Sequence, residues 1–138
     1  MDVISRRDEC LAIVIAKATE LSDACVEAEH AGEDIGFASR TFNELSSSLR
    51  DVLELEKQIG YPADTGAMSV ELRSHITACE HACRLYSNAI GLDQSVYHFS
   101  HASSSTFPQE TKRQIKEALK ASTLILAAEV KKLSEVTV

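Results

Sequence analysis

From Glu33 to Ile59 apolar side chains return at steps of three and four residues: Ile35, Ala38, Phe42, Leu45, Leu49, Val52 and Ile59. Such steps bring side chains back to one face of an α-helix, whereas a half-buried strand alternates every second residue. Only Glu56 breaks the row, and with Glu54 it reads as solvated surface. A helix striped on one face gains most of its stability by laying that stripe against another element. The segment predicts a helix over about 33–59 and commits the chain to helix-on-helix packing.

Three further segments supply the partners. Residues 2–30 carry Leu11, Val14, Ala18, Leu21, Cys25 and Ala28 at the same steps, and Gly32 is placed to end that helix in a left-handed cap. Ile13 and Ile15 thicken the stripe, which predicts burial on more than one side. Residues 68–90 align Leu72, Ile76, Cys79, Cys83, Tyr86 and Ile90, with Gly91 as the expected stop. Residues 109–136 carry Ile115, Leu119, Leu126, Val130 and Leu133, and Thr123-Leu124-Ile125-Leu126-Ala127-Ala128 predicts burial almost all round. Between the second and third helices, Gly60-Tyr61-Pro62-Ala63-Asp64-Thr65-Gly66 spells a reversal, because Pro cannot donate into a helix and Gly tolerates sharp turns. Leu92 to Pro108 is rich in Ser and His without a period and reads as a long loop, with Val96, Tyr97, Phe99 and Phe107 as its anchors. The expected fold class is all-α, an antiparallel bundle of about four helices forming one domain over 1–138.

Composition agrees with that reading and narrows the function. A chain of 138 residues buries roughly 68% of its unfolded surface, enough for a core without staples. Five Gly and two Pro are too few for a turn-rich β-sandwich. Residues 1–104 hold 17 acidic against 8 basic side chains, and 105–138 hold 4 against 6. An acidic body with a mildly basic last helix argues against nucleic acid and leaves head-to-tail contacts between copies electrostatically open. The longest apolar run, Leu11 to Ala16, is far too short to span a bilayer, and Arg6-Arg7-Asp8-Glu9 spoils a signal-peptide pattern, so a cytoplasmic location is expected. Cys10 and Cys25 lie roughly 22 Å apart on one helix, beyond disulfide reach, and reduced thiols are expected.

His75, Cys79, His81 and Cys83 fall within one stretch of the third helix, which is the spacing of a metal-site candidate. Both cysteines occupy apolar-row positions and His81 falls on another face, so no metal is expected there. Phosphorelay bundles expose a histidine followed three residues later by Lys or Arg and then a small residue. His81 is followed by Arg84 and then Leu85, His75 by Ala78 and Cys79, and His30 is a further candidate. The run Tyr97-His98-Phe99-Ser100-His101 brings Ser and His close, but no acidic residue lies between Gln94 and Glu110 to complete a hydrolase. No catalytic residue and no cofactor are expected. The apolar start, Val3 and Ile4 with Leu11 beyond it, is the candidate interaction surface, although Asp2, Asp8, Glu9, Glu20 and Asp23 oppose a membrane-seeking helix.

Met1-Asp2-Val3-Ile4-Ser5, Leu11-Ala12-Ile13-Val14, Glu33-Asp34-Ile35, Asn43-Glu44-Leu45-Ser46-Ser47-Ser48-Leu49 and Leu72-Arg73-Ser74-His75-Ile76-Thr77-Ala78-Cys79-Glu80 form an ordered set. Together they resemble the HeLo-like N-terminal domain of fungal STAND proteins, the NLR-type receptors, over most of residues 1–90 and more loosely the last helix. The resemblance implies a non-enzymatic helical signalling or adaptor module of programmed cell death, which self-associates or binds a protein partner. It also implies conditional membrane contact through the first helix. Arg6-Arg7-Asp8-Glu9 departs from the apolar start of that family, which bears on membrane action. Without a nucleotide-binding module in these residues, the resemblance implies an excised domain or a stand-alone relative. Val26-Glu27-Ala28-Glu29-His30-Ala31-Gly32-Glu33 with Gly36-Phe37 is also similar to the hairpin tip of bacterial chemoreceptors, but the later helices do not continue a long coiled hairpin.

Overall fold

The computed structural model describes residues 2–60, 68–102 and 108–136, with residues 97–102 as backbone only. Four helices fill these stretches: α1 Val3–Ala31, α2 Ser39–Ile59, α3 Val70–Ala102 and α4 Gln109–Ser134. Among the described residues there is no strand. Each helix packs on the two beside it in chain order, and α4 closes the ring onto α1. Neighbours run antiparallel. Arg7 at the start of α1 meets Glu56 at the end of α2, and Lys17 meets Glu44 at 2.9 Å. Arg73 meets Glu56 at 2.9 Å, the Phe42 and Tyr86 rings stand 5.0 Å apart, and Lys116 reaches Asp93 at 3.4 Å.

The helix ends follow from local chemistry. The Asp2 carboxylate accepts from the Ser5 N–H at 2.7 Å and caps α1, satisfying a donor that the helix leaves unpaired. At the other end Gly32 adopts φ 69°, and its N–H and that of Glu33 return to the last carbonyls. Ser69 caps α3 by accepting from the Leu72 N–H at 3.2 Å. Gly60 ends α2 at φ 74°, while the expected reversal through Tyr61–Gly66 lies outside the described residues.

The apolar rows meet inside. Leu11, Val14, Ala18 and Leu21 of α1 pack with Phe42, Leu45, Leu49 and Val52 of α2. Ile76, Cys79, Cys83 and Tyr86 of α3 and Leu126, Val130 and Leu133 of α4 complete the cluster.

Four expectations are corrected. α2 starts at Ser39, six residues late: after the Gly32 cap the segment through Gly36 crosses the bundle end as a connector, with Phe37 edge-on to Tyr86 at 5.2 Å. Gly91 does not stop α3, which runs through the expected loop to Ala102. A mid-helix glycine is a cost of about 1 kcal/mol, not a barrier, and the Lys116–Asp93 contact ties the continuation to α4. Ile13 is 45% exposed, so α1 is buried on one side only. Leu124 and Ile125 are 53% and 45% exposed, because α4 buries the row Ser122, Leu126, Val130 and Leu133 and turns the intervening side chains outward.

Candidate functional site

Charge enters the interior at two places, both tied to α3. Glu56, the residue that interrupts the α2 row, lies inside: its carboxylate accepts from an Arg7 Nη and, at 2.9 Å, from Arg73 Nη2. Three helices are thereby joined by one acid between two guanidinium groups. Arg7 also donates from Nε to Asp8 at 2.9 Å. Burial alone would lower the Arg7 pKa, but Glu56 and Asp8 outweigh it and the value is raised. Two turns beyond Arg73 on α3, Glu80 is a second buried acid, bonded by the Nε of Arg84, whose side chain is 69% exposed.

These groups border a groove along the α2/α3 seam, the most sparsely packed of the four. One part, of about 700 Å³, is lined by Arg50, Glu54, Glu56 and Lys57 of α2 and by Arg73, Glu80, His81 and Arg84 of α3. The other, of about 1110 Å³, shares Arg50, Glu80 and Arg84 and continues past Ser47 and Ser87 towards Asn43 and Asn88. Arg50 is exposed and forms no ion pair among the described residues. Such a lining can bind carboxylates through guanidinium forks, which match two oxygens at once.

The thiols sit elsewhere. Cys79 and Cys83 are 0% and 1% exposed within the apolar cluster. A hydrogen bond with Cys83, then burial, pushes the Cys79 thiol far above its ordinary range, which disfavours the thiolate that nucleophilic or metal chemistry needs. All four cysteines are free, Cys10 half-buried and Cys25 buried. His81 and His30 are exposed and His75 half-buried. Among the described residues no three His, Cys, Asp or Glu side chains gather as metal ligands. The side chains of Tyr97, His98, Phe99, Ser100 and His101, and Phe107 altogether, lie outside what is described.

The three expected interaction residues do not share an environment. Ile4 is 36% exposed and Val3 half-buried, whereas Leu11 is 4% exposed and belongs to the core. Leu11 could touch a partner only after α1 leaves the bundle. The structure instead turns other apolar groups outward: Leu85 and Leu92 on α3, and Leu124 and Ile125 on α4. No helix among the described residues is long and apolar enough to cross a membrane.

Periodicity held an unused signal for the charged triad. Arg7 stands four residues before Leu11 on the α1 row, and Glu56 stands on the α2 row between Val52 and Ile59. Opposite charges on the apolar rows of adjacent antiparallel helices, at facing ends, are in position to pair. No family model, curated protein or solved structure matches this chain.

Proposed function

We propose that the chain is a non-enzymatic signalling bundle that acts through its helix surfaces, by assembling with copies of itself or with a partner domain. The observation that carries this reading is the apolar surface left outside the core. Leu124 and Ile125 are adjacent on α4, 53% and 45% exposed, and flanked by exposed Ala121 and Ala128. Contiguous apolar surface on a small domain marks an association site more often than scattered single side chains do. The resemblance to the HeLo-like domain of fungal NLR-type receptors supports the same reading and extends it to cell-death signalling. Membrane contact would be conditional: Val3 and Ile4 are the apolar start of α1, and the Arg7–Glu56–Arg73 triad fastens that end to the bundle.

Light scattering of the full chain at rising concentration, with vesicles of anionic and zwitterionic lipid assayed for leakage, tests this. The expected result is mass that grows with concentration and falls in Leu124→Glu/Ile125→Glu. A strict monomer at millimolar concentration that also leaves both vesicle types intact overturns self-assembly and membrane action.

A further inference from the structure

We infer that the α2/α3 groove receives the acidic outer face of α1 from a second copy of this chain, so that copies join head to tail; this rests on the self-assembly reading above. The groove is built to present cations. Glu56 and Glu80 are each 4% exposed as side chains, at positions where an apolar residue would avoid the cost of dehydrating a carboxylate. Each holds an arginine at the groove: Glu56 holds Arg73 at 2.9 Å, and Glu80 holds Arg84 through Nε, which leaves the two terminal nitrogens of Arg84 for another acceptor. Arg50 adds an exposed guanidinium with no ion pair among the described residues, and Lys57 keeps only a loose 3.9 Å contact with Glu54.

The matching surface lies on α1 and its connector. Residues 18–39 contain no Lys or Arg and six acids, Glu20, Asp23, Glu27, Glu29, Glu33 and Asp34, all exposed. Glu20, Asp23 and Glu27 share the helix face opposite the buried row Ala18, Leu21 and Cys25. Glu20 has a 3.5 Å contact with Lys17 one turn back, and no ion pair within the described residues engages Asp23 or Glu27. Glu20 and Glu27 are two turns apart, as are Arg50 and Lys57 across the groove, and two turns measure about 10.5 Å on either helix. An acidic ridge and the Arg50–Lys57 row, with the same repeat, can meet in register. The two surfaces occupy different parts of one copy, so the contact is heterologous and each copy can engage two others.

Sedimentation velocity on the full chain, with Arg50→Glu/Lys57→Glu as the groove variant and Asp23→Lys/Glu27→Lys as the ridge variant, tests the inference. All four positions are exposed, and circular dichroism confirms that each variant is folded. The wild type is expected to grow with concentration and to shrink as NaCl is raised, because exposed charges are screened. Each variant alone should associate about tenfold more weakly or not at all. An equimolar mixture of the two should assemble again, since the native ridge of one faces the native groove of the other and the reversed ridge brings cations to the reversed groove. Wild-type-like assembly of both variants, or a mixture that stays monomeric, overturns the inference. Assembly lost in Leu124→Glu/Ile125→Glu but kept in both charge variants sinks this inference alone, whereas a wild type that never assembles removes the self-assembly reading with it.

Discussion

Glu56 spends its charge inside the protein, where two guanidinium groups replace the water it gave up. Removing one partner of such a set leaves the others buried and unmatched. Glu56→Leu is expected to destabilise the fold by about 3–5 kcal/mol, read from urea unfolding, while Arg7→Met/Glu56→Leu/Arg73→Met is expected to be near neutral. At the surface, Lys17 and then Arg40 donate to Glu44 and hold its carboxyl below the usual carboxylate range, while Glu44 raises the Lys17 ammonium. A lowered carboxyl contributes stability that is present above its unfolded value and lost as pH falls through the folded one. A raised ammonium contributes stability that is present below its unfolded value and lost as pH rises through the folded one. The pair is therefore intact across neutral pH. NMR titration should place the Glu44 midpoint below that of a free glutamate, and Lys17→Met should move it up. Cys79 and Cys83 should resist iodoacetamide until the protein unfolds, as read by mass spectrometry, because both are buried out of the reagent's reach and the Cys79 thiolate is disfavoured besides.

The helices themselves were largely legible from spacing, and their ends less so. Leu11, Leu45, Ile76 and Leu126 are buried as their rows require. Gly91 shows where the reading failed. Glycine often closes a helix, yet among the described residues only Gly32 and Gly60 have the positive φ that such a cap uses. What carries α3 onward is packing beside α4, which no local pattern records. A methyl group at Gly91 would meet nothing within 4 Å. Gly91→Ala should accordingly stabilise the protein by about 0.5–1 kcal/mol. Gly32→Ala, at φ 69°, should destabilise it by about 1–2 kcal/mol. Thermal unfolding of the two variants, expected to shift in opposite directions, checks both. The late start of α2 has a related reason: Ile35 and Ala38 keep helical spacing, but the chain from Glu33 to Ala38 crosses the end of the bundle and half-buries Ile35 and Phe37 there.

Across the whole molecule, four striped segments were enough to specify a ring of four antiparallel helices, because each stripe has only another stripe to bury against. The candidate site was not legible to the same degree. Arg50, Arg73 and Arg84 come from two helices and converge only after packing, and Glu80 carries no mark in the sequence that sets it inside. Exposed apolar positions were misjudged in the other direction, since the run from Thr123 to Ala128 is continuous in sequence while α4 meets its neighbours on one face. Leu124→Glu/Ile125→Glu should thus change unfolding free energy by no more than about 0.5 kcal/mol per site, as surface substitutions do, measured in urea on the monomer.

The fastening of α1 joins it to the bundle through guanidinium groups, which keep their charge at any acidity a cell reaches. An endosome-like drop in pH would not discharge that cationic half of the clasp. A rival anion offered to Arg7, or a mechanical pull on the leading turn, acts on it directly. The leading end of α1 is thereby held by cations that a competing anion can engage and that acid leaves in place.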